Sequence, residues 1–339
     1  MPDPSHPGPP AAESAPTVLI FATGGTIGMH RTPKGLAPDP GFPQALDELV
    51  AGICAPLGAQ WRINHLNPPI DSANADADTA PRIARTVGAR VRTAKPRGVV
   101  ITHGTDTLAY TAARLAFELA DLGVPVVVTG SQLPHGAEGS DVPGNLSLAI
   151  RAALRAAPGA PVSIAFGGEL MPAVRATKYQ AEELRAFRAE RPLAPGAVGV
   201  VGAGASSANP GQPARVIPFR FAPGTTADDL LGAVAGAPDG LVIECYGSGN
   251  APMAKPGMAA ALREICGRLP VVTVTQCATG SVDFERYAVA REMVDAGVVD
   301  GGDMTVETAL AKLGYAIDRG AQGASLRSLI GFNLVGERR

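Results

Sequence analysis

Cysteine, tryptophan and surplus charge are all scarce in this chain, and each shortage removes a class of function. Of 339 residues four are cysteine: Cys54, Cys245, Cys266 and Cys277. They form no C-x-x-C pair and stand in apolar segments, which argues against a disulfide framework or a cysteine-built zinc site. The histidines, His6, His30, His65, His103 and His135, are scattered with no H-E-x-x-H, so no metal centre is expected. A net charge of −2 gives no basic surplus for phosphates, and aromatics at 4% leave little to stack on bases. Neither nucleic acid nor a membrane surface is an expected partner. No apolar run approaches the ~18 residues of a membrane helix. Residues 1–16 carry no Lys or Arg and no apolar stretch, so they do not read as a signal peptide; a disordered tail and a cytoplasmic location are expected.

What the chain does have is apolar material, 46% hydrophobic against 18% charged, enough for about two domains at ~150 residues each. From Thr17 onward, β-branched runs alternate with segments of helical period. Thr17–Ala22, Gln60–Leu66, Gly98–Thr102, Val124–Thr129 and Pro161–Phe166 read as strands; Gln44–Ala55, Thr79–Thr93, Leu108–Leu119 and Asn145–Ala156 read as helices. Leu108, Ala112, Leu115 and Leu119 fall on one helical face. Such alternation predicts an α/β fold with a mostly parallel, doubly wound sheet. Residues 191–224, rich in Gly and Pro, break the rhythm and read as an interdomain connection. A smaller α/β pattern resumes beyond it with strands Leu241–Tyr246 and Val271–Gln276 and helices Met258–Gly267, Arg286–Ala296 and Val306–Asp318. The expected organisation is a tail (1–16), a larger domain (17–190), a connection (191–224) and a smaller domain (225–339).

In open parallel sheets ligands bind beyond the carboxyl ends of the strands. Two chemically loaded segments occupy that place. Thr23-Gly24-Gly25-Thr26-Ile27-Gly28 follows the first strand; its glycines permit a tight bend, and Thr26 presents a hydroxyl. The spacing fits neither a phosphate loop nor a dinucleotide fingerprint, and the segment also fits a plain glycine turn. His103-Gly104-Thr105-Asp106-Thr107 follows the strand Gly98–Thr102. A hydroxyl and a carboxylate at a helix N-terminus suit an acyl-transfer site, while Asp106 or Thr107 also fits an ordinary helix N-cap. A threonine nucleophile needs a proton acceptor. Lys178, after an expected strand Ala173–Arg175, is one candidate and a tyrosine is another, although an ordinary solvated lysine fits Lys178 equally well.

Together the two segments closely resemble the two signature motifs of bacterial-type L-asparaginases, and most of all the cytoplasmic, type I subgroup. Supporting matches are Asp71-Ser72, Val128-Thr129-Gly130-Ser131-Gln132, Ala176-Thr177-Lys178, Tyr246-Gly247-Ser248-Gly249-Asn250-Ala251-Pro252, Thr275-Gln276-Cys277 and Gly302-Asp303-Met304-Thr305. The resemblance spans roughly Thr17 to Leu334. It implies hydrolysis of L-asparagine to aspartate and ammonia with no cofactor and no metal. Thr26 takes the place of the nucleophile, and Thr105, Asp106 and Lys178 that of a second catalytic cluster. Ser72 matches a binder of the substrate carboxylate, and Thr105 and Asp106 also line the substrate, Asp106 holding its ammonium. Asn250 matches a residue reaching the site of a neighbouring subunit, which implies a homodimer or homotetramer.

Departures from the pattern are informative. Leu36 stands where many members carry a loop tyrosine, and the resemblance offers Tyr287 as its replacement, although a half-buried helix aromatic also fits that position. Ala73 follows Ser72 where secreted members carry glutamine. Glu244 replaces an arginine of allosterically regulated members, although Cys277 matches. A broader glutaminase differs by one methylene in the pocket, a distinction worth only ~1–3 kcal/mol. The asparaginase-like subunit of a tRNA-dependent amidotransferase and a non-catalytic amino-acid-binding paralogue are the remaining alternatives.

Overall fold

The computed structural model describes residues 15–197, 212–285 and 288–339. The larger part begins with strand β1 (Thr17–Gly24), a hairpin of β2 (Met29–Thr32) and β3 (Gly35–Pro38), helix α1 (Phe42–Cys54) and β4 (Gln60–Ile70). It continues through α2 (Thr79–Ala94), β5 (Gly98–Thr102), α3 (Leu108–Glu118), β6 (Val126–Thr129) and α4 (Val142–Arg155), then β7 (Ser163–Phe166) and β8 (Glu169–Pro172). The sheet order is β4-β1-β5-β6-β7-β8, parallel except for β8, which turns back through Gly167 and Gly168 at positive φ. The chain leaves β1 to one side for β4 and returns on the other for β5, so the ends of these three strands flank one crevice.

Alternation along the strands divides the core into two layers. Leu19, Phe21, Val99 and Ile101 pack against α2 and α3, while Val18, Ile20 and Val100 pack against α1 and α4. A sheet covered on both faces explains why these strands read as continuous apolar runs. The stripe Leu108, Ala112, Leu115 and Leu119 is buried as its period demands.

Two short strands, β9 (Thr177–Lys178) and β10 (Phe187–Arg188), form an antiparallel pair. The smaller part holds β11 (Val216–Arg220), α5 (Ala227–Ala233), β12 (Gly240–Cys245), α6 (Met258–Arg268), β13 (Val271–Thr275), α7 (Ala288–Ala296), β14 (Val299–Asp300), α8 (Val306–Asp318) and α9 (Gly323–Gly331). Its sheet is parallel, in the order β11-β12-β13-β14. Helix α8 joins both parts. Leu313 and Ala316 pack under the smaller sheet, whereas Ala311 and Tyr315 enter the core beside α3. Arg114 of α3 forms an ion pair with Asp318 of α8 across this seam.

The structure differs from the sequence reading at three places. Val216–Arg220, inside the expected connection, is the edge strand of the smaller sheet. Ala173–Arg175 is a buried 3-10 turn rather than a strand, because the Arg175 guanidinium is drawn inward to backbone carbonyls. Of the expected tail, Pro16 already accepts a hydrogen bond from the Gln60 amide, and residues 1–14 lie outside the described residues.

His103, at the end of β5, is buried between sheet and α3. Its Nδ1 donates to the Gly104 carbonyl at 2.8 Å, so Nε2 is the acceptor facing the Thr111 hydroxyl at 3.3 Å. Burial lowers its pKa below the ordinary 6.5, with the Gly104 hydrogen bond opposing.

Two predictions arise from this packing. The unfolded chain protonates His103 near 6.5 while the folded chain resists, so stability falls as pH drops below 6.5 toward the lower folded value. Urea unfolding at pH 7.5 and 5.5 should show a lower midpoint at the acid pH, with part of the difference abolished in His103→Gln. A Cβ on Gly98 would lie 2.3 Å from the Ala153 carbonyl oxygen of α4. Gly98→Ala should therefore cost about 1–3 kcal/mol in the same assay, and an unchanged midpoint would contradict this packing.

Candidate active site

Three loops meet beyond the carboxyl ends of β1, β4 and β5, and glycines allow them to touch. After β1, Gly25 (φ +93°) precedes a 3-10 turn, Thr26–Gly28. A Cβ on Gly25 would sit 2.5 Å from the Cα and amide nitrogen of Gly104. A Cβ on Gly104 would sit 2.3 Å from Ser72 Oγ. Backbone thus lies on backbone, and the residues that follow Gly25 and Gly104, Thr26 and Thr105, flank a common contact with the buried Ser72. Thr26 is half-buried, and Thr105 is buried.

Ser72 is held from both sides. Asp71 accepts from the Ala73 amide at 3.1 Å and shapes the turn Ser72–Asn74. Thr107 Oγ1 donates to the Ser72 carbonyl at 2.9 Å. Thr107 occupies the N-cap position of α3, yet its side chain does not cap the helix. No side-chain cap from Thr107 therefore occupies the first-turn amides of α3. Thr23 Oγ1 donates to the Thr102 carbonyl at 2.7 Å and ties the first loop to β5. Sequence reasoning gave Thr23 no role and Thr107 only that of a helix cap, although both lie within the motifs.

Lys178 reaches this place from β9. Its Nζ lies 2.9 Å from Thr105 Oγ1 and 3.0 Å from Asp106 Oδ1. The lysine side chain is 21% exposed and that of Asp106 63% exposed. A hydroxyl, an amine and a carboxylate are thus joined in one hydrogen-bonded chain whose carboxylate end is open to water. Proton transfer between threonine and lysine lies within reach, and the carboxylate offers a cation site.

Asn250 lies elsewhere. It closes the turn after β12, its amide donating to the Tyr246 carbonyl at 2.9 Å while its own carbonyl accepts from the Tyr246 amide at 2.8 Å. Its Oδ1 is buried without a hydrogen-bond partner, and no hydrogen bond joins it to the Thr105 cluster among the described residues. Tyr287 lies outside the described residues. Leu36 pairs with Arg31 across the β2–β3 hairpin and is 47% exposed. Glu244 lies 3.5 Å from the Arg220 guanidinium, and burial raises its carboxyl above the usual range. Among the described residues no group of three His, Cys, Asp or Glu side chains is arranged to hold a metal ion.

Known proteins share this arrangement of sequence and fold. The family model "Asparaginase, N-terminal" matches residues 17–204, and "Glutaminase/Asparaginase C-terminal domain" matches residues 215–330. An L-asparaginase of Thermococcus kodakarensis is 34% identical, covering 94% of this chain and 98% of that protein. L-asparaginase 1 of Escherichia coli K12 is 33% identical, covering 95% and 97% respectively. The solved structure of L-asparaginase I from Vibrio cholerae superposes with a TM-score of 0.80 at 29% identity, covering 96% of this chain and all of that one. With both domains matched nearly end to end, the chain belongs to the asparaginase family.

Proposed function

We propose that this chain hydrolyses the side-chain amide of L-asparagine to L-aspartate and ammonia, with Thr26 as the nucleophile. The observation that carries the reading is the contact of Lys178 Nζ with both Thr105 Oγ1 and Asp106 Oδ1, on a loop packed against the one that bears Thr26. The named activity of the relatives at 33–34% identity supports it.

The substrate is a zwitterion with a short amide arm. The open Asp106 carboxylate suits its ammonium, and the Ser72 hydroxyl suits its carboxylate. The amide carbon then faces the two threonines. Thr26 Oγ bonds to that carbon, the C–N bond breaks, and the nitrogen leaves as ammonia with the hydroxyl proton relayed to it. The α3 amides favour the oxyanion formed in between. Water cleaves the resulting ester, its proton returning to Thr26 Oγ. The Lys178–Thr105 pair takes up the proton of the attacking water in the second half. Tyr287 is our candidate for the group that accepts the Thr26 proton, since Leu36 has no titratable atom.

Asn250, whose buried Oδ1 has no hydrogen-bond partner among the described residues, is proposed to complete the site of a second copy in a homodimer or a homotetramer. The four free cysteines suit a cytoplasmic enzyme.

Ammonia release from purified variants tests the assignment. Thr26→Ala, Thr105→Val and Lys178→Met should each remove turnover by more than about 10³-fold with unchanged circular dichroism. Turnover near wild type in any of the three would overturn that residue's role. Tyr287→Phe should lower kcat by about 10²-fold, and ordinary kinetics would discard it as the proton acceptor.

A further inference from the structure

Lys178 belongs to the larger part of the chain, but the segment leading to it is held by the smaller part. The Val174 carbonyl accepts from Thr308 Oγ1 at 2.7 Å. Thr177 Oγ1 donates to Glu307 of α8. Between them the fully buried Arg175 spreads its guanidinium over two carbonyls, Nη1 to Asp303 at 2.9 Å and Nε to Gly336 at 3.2 Å, with the Asp303 carboxylate 3.4 Å from Nη2. Gly336 therefore supplies one of the fixed points that orient the turn Ala173–Arg175, three residues before Lys178.

Gly336 itself is placed by an ion pair in which neither side chain has any exposure. Lys312 Nζ of α8 lies 2.5 Å from Glu337 Oε1 and donates to the Ile330 and Phe332 carbonyls. The Glu337 carboxylate accepts from the Leu334 amide at 3.0 Å and the Val335 amide at 2.7 Å. The segment 330–337 is thus wrapped around one ammonium. Gly336 emerges at φ +93°, where a Cβ would strike Leu193 at 2.5 Å, and its carbonyl also accepts from the Ala194 amide at 2.9 Å. A fully buried charge pair is a costly way to hold a chain segment when apolar side chains of the same volume would serve. What the pair adds is direction: one ammonium fixes the carbonyls and the carboxylate on either side of Gly336.

We propose that the Lys312–Glu337 pair is a positioning device for Lys178, acting through Gly336 and Arg175 to set the lysine's distance from Thr105 and Asp106. The inference rests on the catalytic reading above for its kinetic consequence and on geometry alone for its structural one. Neither Lys312 nor Glu337 is among the groups proposed to hold substrate, so the effect falls more on proton transfer than on binding.

The test is the double variant Lys312→Met/Glu337→Gln, which removes both charges together, with Arg175→Lys as the second variant. Arg175→Lys keeps a charge beside Asp303 but cannot reach both carbonyls. Two quantities are read on folded protein: kcat and KM for ammonia release across pH, and the acetylation rate of Lys178 by acetic anhydride, followed by peptide mass spectrometry. We expect kcat to fall about tenfold or more with KM within about twofold, a displaced pH profile, and Lys178 acetylated several-fold faster. A lower Tm with wild-type kcat, pH profile and Lys178 acetylation would show the pair to be merely structural and overturn the proposal. Should the double variant fail to fold, the same outcomes in Arg175→Lys decide. If the wild-type protein releases no ammonia from any amide, the catalytic reading fails, yet the acetylation rate still confirms or refutes the positioning.

Discussion

The contact on which the site depends is that of one amine with a hydroxyl and a carboxylate drawn from a loop more than seventy residues earlier in the chain. Lys178 Nζ meets Thr105 Oγ1 and Asp106 Oδ1 only because two independent pieces of architecture agree. The parallel sheet sets Thr105 and Asp106 beyond β5, at the head of α3. The seam between the two parts of the chain delivers Lys178 from the opposite side. A shift of an ångström in either would lengthen a 2.9 Å bond beyond hydrogen-bond distance. Buried polar groups crowd this seam and its flank: the Arg114–Asp318 ion pair, the Arg175 fork and, beside them, the Lys312–Glu337 pair.

The second constraint is steric. Gly25 and Gly104 are in backbone contact, and Gly104 lies on Ser72, so any side chain at either glycine would separate the three loops. Thr26 and Ser72 are therefore brought to Thr105 by the absence of atoms. The loops can be short because the strands beneath them are fixed by buried registers such as Ile20 between Ile63 and Val100.

These causes also decide what could be read in the sequence. Val306–Asp318 appears as the helix α8 with the bounds its pattern predicts, and the stripe from Leu108 to Leu119 forms α3, because a long periodic segment carries its own signal. The strand Val216–Arg220 was hidden by the Gly- and Pro-rich stretch around it, and it carries Pro218, which only an edge strand tolerates. The turn Ala173–Arg175 looks extended in sequence, since nothing local reveals that Arg175 will point inward to carbonyls 128 and 161 positions away. At the site, Thr26, Ser72, Thr105, Asp106 and Lys178 could each be named from the sequence. Their grouping came only through the resemblance of the motifs to a known family, because it depends on a seam that no local pattern encodes. Thr107 was read as a helix cap, and its tie to Ser72 came only with the fold.

The central claim is that these residues converge on the amide of one small amino acid. The most direct measurement is ammonia release by the purified wild-type protein, with L-asparagine, L-glutamine and D-asparagine in parallel. The account predicts turnover of L-asparagine well above the other two, achieved with leucine at position 36. Silence on all three from a folded protein would contradict it, and turnover of L-glutamine or D-asparagine without L-asparagine would contradict the assigned substrate.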